Sequence, residues 1–589
     1  MKKRLLIAIP CFLLAALVAN QMAERTQQQL LWGWRPFFLL LSVWAGMLIL
    51  LSSRYTRAPD NRRYLLLSTL SGVLLSLGFP VSPLTPLIFV GLVPLLIISR
   101  GLFRWRGGPA RWSMFKYAFN AFLIWNVCTT FWVINTSFLP GIVANVLNAM
   151  IMAAVFTLIH QAMCTLKGRL PTVALITIWI AFEYLHLYWE ISWPWLNLGH
   201  AFAQYPSWVQ WYEITGIFGG SLWVLWVNDL VWRAWDAYQV TQRFPRRRVW
   251  GIAAMIILPI VAGVVRWATY PLEEGSVKVA VVQPNFEPHY EKFVFNQNDQ
   301  LERFVRLSES VIDSTTDYLV FPETSFPAVL LNDIERDGRI RRLRQMMAPF
   351  PDLKLVMGIE SYRTFTEEVD MPAIRLQEGL RDTFWYDVQN SAVQLATGEE
   401  IDPYFKSKLV PGAEFFPFRD VLPFIRPLIH MLQGSVAGLT KQDEREVFRS
   451  GSTAVAPVIC YESVYGAYVG EYVRKGASMI FIVTNDGWWD DTPGHQQHLK
   501  FASLRAIEHR RPIARSANTG VSCFINQRGD ILQATDYGVE AVITGLVDPG
   551  DGYTFYTRWG DMIARISVFL AVLLLALTIV RSRLQRVNP

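Results

Sequence analysis

Residues 454–469 read AVAPVICYESVYGAYV: an apolar, valine-rich run to Ile459, then Cys460-Tyr461-Glu462, then a segment of helical character. A short, continuous run of this kind is a strand buried on both faces. It places a thiol where the strand gives way to a helix. At a helix N-terminus the positive end of the macrodipole favours thiolate, so the expectation here is a reactive Cys460. Similar runs lie on either side: VKVAVVQ (277–283), DYLVFPE (317–323), LKLVMGIE (353–360), NSAVQL (390–395), MIFIVTND (479–486), IARSANT (513–519), VSCFINQ (521–527) and AVITGLV (541–547). Helical stretches at 296–314 and 495–511 separate them. This alternation predicts two sheets with helices packed outside.

Further outward, the composition changes. Of 589 residues, 52% are hydrophobic and 17% charged, against about 25% charged in soluble domains, which excludes a purely soluble protein. Residues 1–270 hold 22 Lys+Arg against 7 Asp+Glu, and residues 271–589 hold 33 against 41. The net charge of +7 is therefore no signature of nucleic-acid binding. Five cysteines in a chain this long form no disulfide framework.

Ten apolar runs approach the length of a membrane span: near 5–21, 36–52, 64–80, 84–99, 117–138, 141–165, 171–188, 208–232, 249–268 and 564–580. Arg and Lys crowd alternate connections: Lys2 to Arg4, Arg54 to Arg63, Arg100 to Lys116, Lys167 and Arg169, Arg233 to Arg248, and Arg581 to Arg586. Those connections are expected on the cytoplasmic side, which sets residues 271–560 on the opposite face. MKKR and the apolar run after it also read as a signal peptide. No clean cleavage site stands out, so an uncleaved span is expected. Glu183, His186, Glu213 and Asp229 fall in or at the ends of spans, where ionisable groups are functional candidates. The bland expectation for Glu183 is a helix-end charge reaching water. ISWPWLNLGHAF (191–202) reads as an interfacial aromatic belt that could floor a lipid-facing site.

Three polar groups follow apolar strands or aromatic loops: Glu323 in FPETSFP, Lys406 or Lys408 with Glu414 in YFKSKLVPGAEF, and Cys460. A nucleophilic Cys needs a base and a cation for the developing oxyanion, and Glu and Lys can fill those roles. On residue type alone, a strand-end Cys is as readily structural. Asp490, Asp491, His495 and His498 have no familiar ligand spacing, so no metal is expected. Cys523 reads as core, and Arg505 with Glu508, three apart on a helix, as an exposed pair.

These segments resemble the nitrilase (carbon–nitrogen hydrolase) superfamily, with its Glu, Lys, Cys triad in that chain order. The membrane block ahead and single span behind make the chain similar to the apolipoprotein N-acyltransferases, through FPETSFP, YFKSKLVPGAEF, VICYES, TNDGWW and the run from His495 to Ser522. The resemblance implies a polytopic α-helical membrane domain plus an α/β nitrilase-like domain, an αββα sandwich. It divides the chain into a two-span extension (1–63), a transmembrane domain (64–270), an extracytoplasmic catalytic domain (271–560) and a terminal helix with basic tail (561–589). Glu323 would be the general base, Lys406 the oxyanion cation and Cys460 the nucleophile, with Glu414, Tyr461 and Glu462 in support. Lys406 is preferred over Lys408 by its spacing to Glu414. Phe293, standing where the family has Trp, and Trp488 would contact substrate. Pro411-Gly412-Ala413-Glu414 departs from the usual Pro-Phe-Gly-Glu. The implied reaction moves an acyl chain from a phospholipid, phosphatidylethanolamine being the expected donor, through a Cys thioester to the α-amino group of a diacylglyceryl-modified lipoprotein. The expected enzyme is a cofactor-free monomer of the bacterial inner membrane. An anchored amidase or nitrilase is the rival reading, against which ten spans argue.

Overall fold

A computed structural model describes residues 2–292, 294, 296–369, 373–378, 383–418, 438–451 and 453–587, with side chains for all of these but 378 and 585–587. Phe293 lies outside the described residues.

The membrane half is built from helices at Lys2–Gln27, Arg35–Leu51, Asn61–Leu77, Val93–Arg106, Arg111–Thr130, Phe138–Thr165, Leu170–Tyr188, Ile217–Thr241 and Arg246–Thr269, joined by Met562–Val587 from the far end of the chain. Among the described residues, six helices are long and apolar enough to cross a membrane. Proline opens several of them, as at Pro36, Pro94 and Pro171, where the missing N–H is no loss. Gly107, at φ 67°, closes the helix ending at Arg106. The eighth expected run is displaced. Residues 206–215 form short turns, and the helix starts only at Ile217, after Gly216 at φ 59°. The returning helix Met562–Val587 packs along Leu170–Tyr188, and Thr165 and Ser582 hydroxyls meet at 3.4 Å.

The other half holds two sheets. One runs in space Ala541–Val547, Val277–Gln283, Tyr318–Val320, Lys354–Phe365, Thr383–Leu395, Arg375–Glu378. The second runs Ile531–Leu532, Cys523–Ile525, Ile513–Ala517, Met479–Thr484, Thr453–Ile459, Phe448–Ser450. Three central strands of each are parallel, as helical crossovers require. The two-residue period of Val277–Gln283 divides its side chains between layers. Val279 and Val281 lie in the core between the sheets with Val455 and Phe481 of the other sheet. Ala280 and Val282 face the helices Gln297–Glu309 and Gly338–Met347 through Phe304 and Leu343. The arrangement is helix, sheet, sheet, helix, as expected.

The outer layer of the second sheet, the helix Pro493–His509, is itself covered by the turns Leu198–Gln204 and Tyr212–Thr215 of the membrane half. From Phe501 to His509 every residue of it is buried. Arg505 and Glu508, expected as an exposed pair, are fully buried and bonded at 2.8 Å. Glu183 is corrected likewise. It reaches no water and accepts from Trp179 Nε1 at 3.0 Å and Leu198 N at 2.8 Å, because the turn at 194–204 folds over the helix end. Along the same seam Arg510 binds Glu213 Oε2 at 2.6 Å and Gln210 Oε1 at 2.8 Å. Trp267 Nε1 donates to Asp530 at 2.8 Å.

Candidate active site

The parallel strand Thr453–Ile459 ends at Cys460, whose φ of 47° lies in the left-handed region. Such strain in a non-glycine residue is held by its surroundings. The Cys460 carbonyl accepts from Ser463 Oγ at 2.7 Å and faces His498 Nε2 at 3.1 Å. His498 Nδ1 meets Asp486 Oδ1 at 3.0 Å, and Arg515 binds the other oxygen of Asp486. Burial opposes ionisation of Asp486, but Arg515 and His498 together outweigh it and hold the carboxyl well below the usual range.

Glu323 follows the strand Tyr318–Val320 and precedes Thr324, at φ 49°. Gly358 allows this turn to lie against the neighbouring strand: a Cβ there would fall 2.6 Å from Glu323 Cα. Lys406 follows the short strand Tyr404–Phe405, and its N–H donates to Asn390 O at 2.8 Å. Its Nζ bonds Glu323 Oε1 at 3.1 Å and Glu414 Oε1 at 2.8 Å. Asn390 Nδ2 bonds the same two oxygens at 2.8 and 3.1 Å. Burial opposes the charge on Lys406, yet the two carboxylates raise its pKa well above that of free lysine. Lys408, the competing lysine, turns away. Its Nζ donates to Leu187 O at 2.9 Å and lies 4.8 Å from the Tyr465 ring. The departure at 411–414 leaves Glu414 in place: Gly412 takes φ 82°, and Glu414 Oε2 accepts from Val410 N at 2.7 Å.

The buried carboxylate of Glu462 ties the two segments together. It accepts from Ser407 N at 2.7 Å, Ile459 N at 2.9 Å, Tyr404 OH at 2.8 Å and Tyr468 OH at 2.5 Å. The lysine loop and the cysteine turn are thereby held on one anchor. Tyr461 faces the membrane half, donating to Ser192 O at 3.1 Å with its ring 5.8 Å from Trp195. The aromatic stretch at 191–202 is thus a buried floor rather than a belt in lipid: Trp132, Trp195 and Trp489 pack edge to face or tilted. The Trp488 ring lies 5.1 Å from the His289 ring.

The expected thiolate at Cys460 is not what this environment favours. Burial, then the Glu323 carboxylate, raises the thiol pKa, and Lys406 only partly offsets them. Cys460 opens a five-residue 3-10 turn, and the α-helix starts only at Gly466, so little macrodipole reaches the sulfur. A neutral thiol of this kind needs a base at the moment of attack.

Sequence reading missed Lys292, Asn390, Asp486, His498 and Arg515 as parts of the site. Lys292 is buried, and its Nζ donates to Glu323 O at 3.1 Å and Thr324 Oγ1 at 2.6 Å. Burial lowers its pKa to about 8, against the opposing pull of Glu323 and Glu360. The one available signal was its place beside Phe293 in the EKF segment. In the sequence, His498 stands out only as a candidate metal ligand.

Two parallel-cored sheets with a buried Glu–Lys–Cys grouping at their strand ends, standing on a bundle of apolar helices, make this a membrane-embedded member of the carbon–nitrogen hydrolase class. The Carbon-nitrogen hydrolase model matches residues 278–555, and the Apolipoprotein N-acyltransferase N-terminal domain model matches residues 71–230. Among relatives, an apolipoprotein N-acyltransferase of Chlorobaculum tepidum is 28% identical over 88% of this chain and 97% of its own length. Relatives of the same name from Geobacter metallireducens and Thermotoga maritima are each 27% identical, over 89% and 86% of this chain and 98% and 92% of theirs. The chain belongs to the apolipoprotein N-acyltransferase family, and it is an acyltransferase.

Proposed function

We propose that the chain moves an acyl group from a phospholipid to the α-amino group of an N-terminal diacylglyceryl-cysteine. The reading rests on one observation above all: a single buried lysine is bonded to two carboxylates beside a neutral, strained cysteine. Glu323 takes the thiol proton as Cys460 Sγ attacks the ester carbonyl carbon. The Lys406 cation holds the developing oxyanion, with Glu414 keeping Lys406 in place. Collapse breaks the ester C–O bond. The lysophospholipid alkoxide leaves with the proton from Glu323, and the acyl group stays on Cys460 as a thioester. The acceptor amine then attacks the thioester carbon and gives its proton to Glu323. The C–S bond breaks, and the thiol is re-formed.

The tryptophan floor and the buried triad exclude water, which favours transfer over hydrolysis. Tyr461 and Glu462 position the turn, and Trp488 and Phe293 are proposed substrate contacts. One copy of the chain carries every group in this scheme, so a monomer suffices. The alternation of basic loops supports a periplasmic site, and phosphatidylethanolamine as donor follows from the family resemblance. The same reading divides the chain at 63/64, 270/271 and 560/561.

Labelled phosphatidylethanolamine mixed with purified protein tests the scheme. A hydroxylamine-labile acyl adduct is expected, absent in Cys460→Ala and discharged by a lipopeptide amine. An adduct that persists in Cys460→Ala, or release of free fatty acid with no lipopeptide product, would overturn it.

A further inference from the structure

The N-terminal hairpin, Lys2–Gln27 with Arg35–Leu51, lies ahead of both regions matched by family models. At the end of the hairpin away from the α/β half, where the chain passes into the helix Asn61–Leu77, there is a cavity of about 520 Å³. Arg4, from the start of the chain, converges there with Arg57, Arg62 and Arg63, against the single acid Asp60. Nη1 of Arg4 is enclosed and has no hydrogen-bond partner. An orientation signal requires only positive charge in a loop. It does not require guanidinium groups from two distant segments around one hollow.

The hollow is also held in shape. Asn61 is buried, accepts from Tyr117 OH at 2.8 Å and Thr56 Oγ1 at 3.0 Å, and donates to Ser52 O at 2.7 Å. Lys116 Nζ donates to Tyr55 O at 3.1 Å, and Tyr55 OH returns a bond to Lys116 O. The arginine-bearing loop is thus fastened to the helix Arg111–Thr130 before any ligand arrives. All four cations are arginine, whose planar fork matches phosphate oxygens in pairs. On the two helices that carry Arg4 and Arg63, Leu5, Leu6 and Leu66 are each more than half exposed. A ligand with its phosphate among the arginines would therefore have apolar side chains beside it for acyl chains.

We propose that this cavity binds the phosphodiester headgroup of an anionic phospholipid from the leaflet that the basic loops face. The site is distinct from the acyl-transfer centre and stands independently of the reaction at Cys460. Basic pockets between membrane helices on that side suit such headgroups.

Native mass spectrometry of the full-length chain, titrated with phosphatidylglycerol or phosphatidylcholine of equal acyl length, tests this. Retention of phosphatidylglycerol is expected to be roughly tenfold stronger or more, and the preference should vanish in Arg57→Gln/Arg62→Gln. Arg243→Gln/Arg247→Gln, in an exposed basic connection elsewhere, should keep it. Equal retention of the two lipids, a preference surviving the first double variant, or equal loss in the control overturns the proposal. So does full displacement of phosphatidylglycerol by millimolar inorganic phosphate, which would make free phosphate the ligand. Hydrogen exchange of residues 53–63 in the unaltered protein needs no variant: slower exchange is expected in phosphatidylglycerol nanodiscs than in phosphatidylcholine ones, and identical exchange refutes the site.

Discussion

Buried polarity takes different forms in the two halves. In the membrane half, His186 Nδ1 accepts from Trp189 Nε1 at 2.6 Å, so its proton sits on Nε2 and points to Asn148 Oδ1 at 2.8 Å. His160 Nε2 accepts from Ala110 N at 3.2 Å, leaving Nδ1 to donate to Ser99. Both rings are neutral by donor accounting. Their neighbours are amides and hydroxyls, such as Asn120, Asn126, Asn145 and Thr130. In the α/β half, His498 faces an acceptor on each ring nitrogen, Asp486 and the Cys460 carbonyl. There the buried groups are whole charges in pairs: Lys406 with Glu323 and Glu414, and Arg515 with Asp486. Hydrocarbon tolerates neutral hydrogen-bond chains but makes charges expensive. A catalytic centre needs charges that are fixed before substrate arrives. The two kinds of burial meet along the seam, and among the described residues the membrane half also buries a carboxylate at Asp229, paired with Arg233 at 2.7 Å.

The contrast breaks most severely at Lys406. Lys406→Met leaves the Glu323 and Glu414 carboxylates around one amide with no directly bonded cation. Stability is expected to fall by about 3–5 kcal/mol, the cost of breaking a buried pair, and acyl-adduct formation by about 10³-fold. Denaturant unfolding and single-turnover labelling measure the two separately.

Next comes the seam, where Arg505 and Glu508 form a buried pair between the halves. Arg505→Met alone strands Glu508 and should cost about 3–5 kcal/mol. Arg505→Met/Glu508→Met removes both charges and should recover most of that. A double variant as unstable as the single one would show that the pair does more than satisfy itself.

Lys292 sharpens the contrast within the α/β half, since it is a charge held by a carbonyl and a hydroxyl rather than a direct carboxylate bond. Its pKa near 8 implies an alkaline fall in adduct formation as pH rises through about 8 and the grip on the Glu323 turn loosens. Lys292→Arg, charged throughout, should move that limb upward. Stability has the opposite sign. The unfolded chain keeps its lysine proton to about 10.5, so the folded state gains relative to the unfolded one between about pH 8 and 10.5. A pH–rate profile unchanged by Lys292→Arg would remove Lys292 from the pH response.

Legibility in the sequence divides along the same line. Strand ends and span lengths are local patterns, so the sandwich, most of the spans and the positions of Glu323, Lys406 and Cys460 were legible. Covering by distant segments is not local. Arg505 and Glu508 look like a helix-surface pair until the turns at 198–215 close over them, and Glu183 looks solvated until Leu198 caps it. The thiolate expectation failed for the same reason. The dipole argument uses the next few residues, whereas Glu323 and the surrounding burial arrive from elsewhere in the chain. Lys406 and Lys408 differ in the sequence only by their spacing to Glu414; in the structure Lys406 bonds Glu323 and Glu414, whereas Lys408 donates to Leu187 O.

The smallest expected effect tests the neutral side. Asn148 links the helices Phe138–Thr165, Arg111–Thr130 and Leu170–Tyr188, donating to Asn126 Oδ1 at 2.7 Å and accepting from His186. Asn148→Leu is nearly isosteric but leaves His186 Nε2–H and Asn126 Oδ1 without this partner. In water such a loss would be easily replaced. In an apolar bundle the unfolded-in-membrane state also finds partners, so the cost is limited to about 1 kcal/mol. Unfolding in mixed micelles should show that decrement with acyl transfer unchanged. A loss near the roughly 3–5 kcal/mol of the charged pairs would mean that the Asn126–Asn148–His186–Trp189 chain carries charge after all, and the division between the halves would fail.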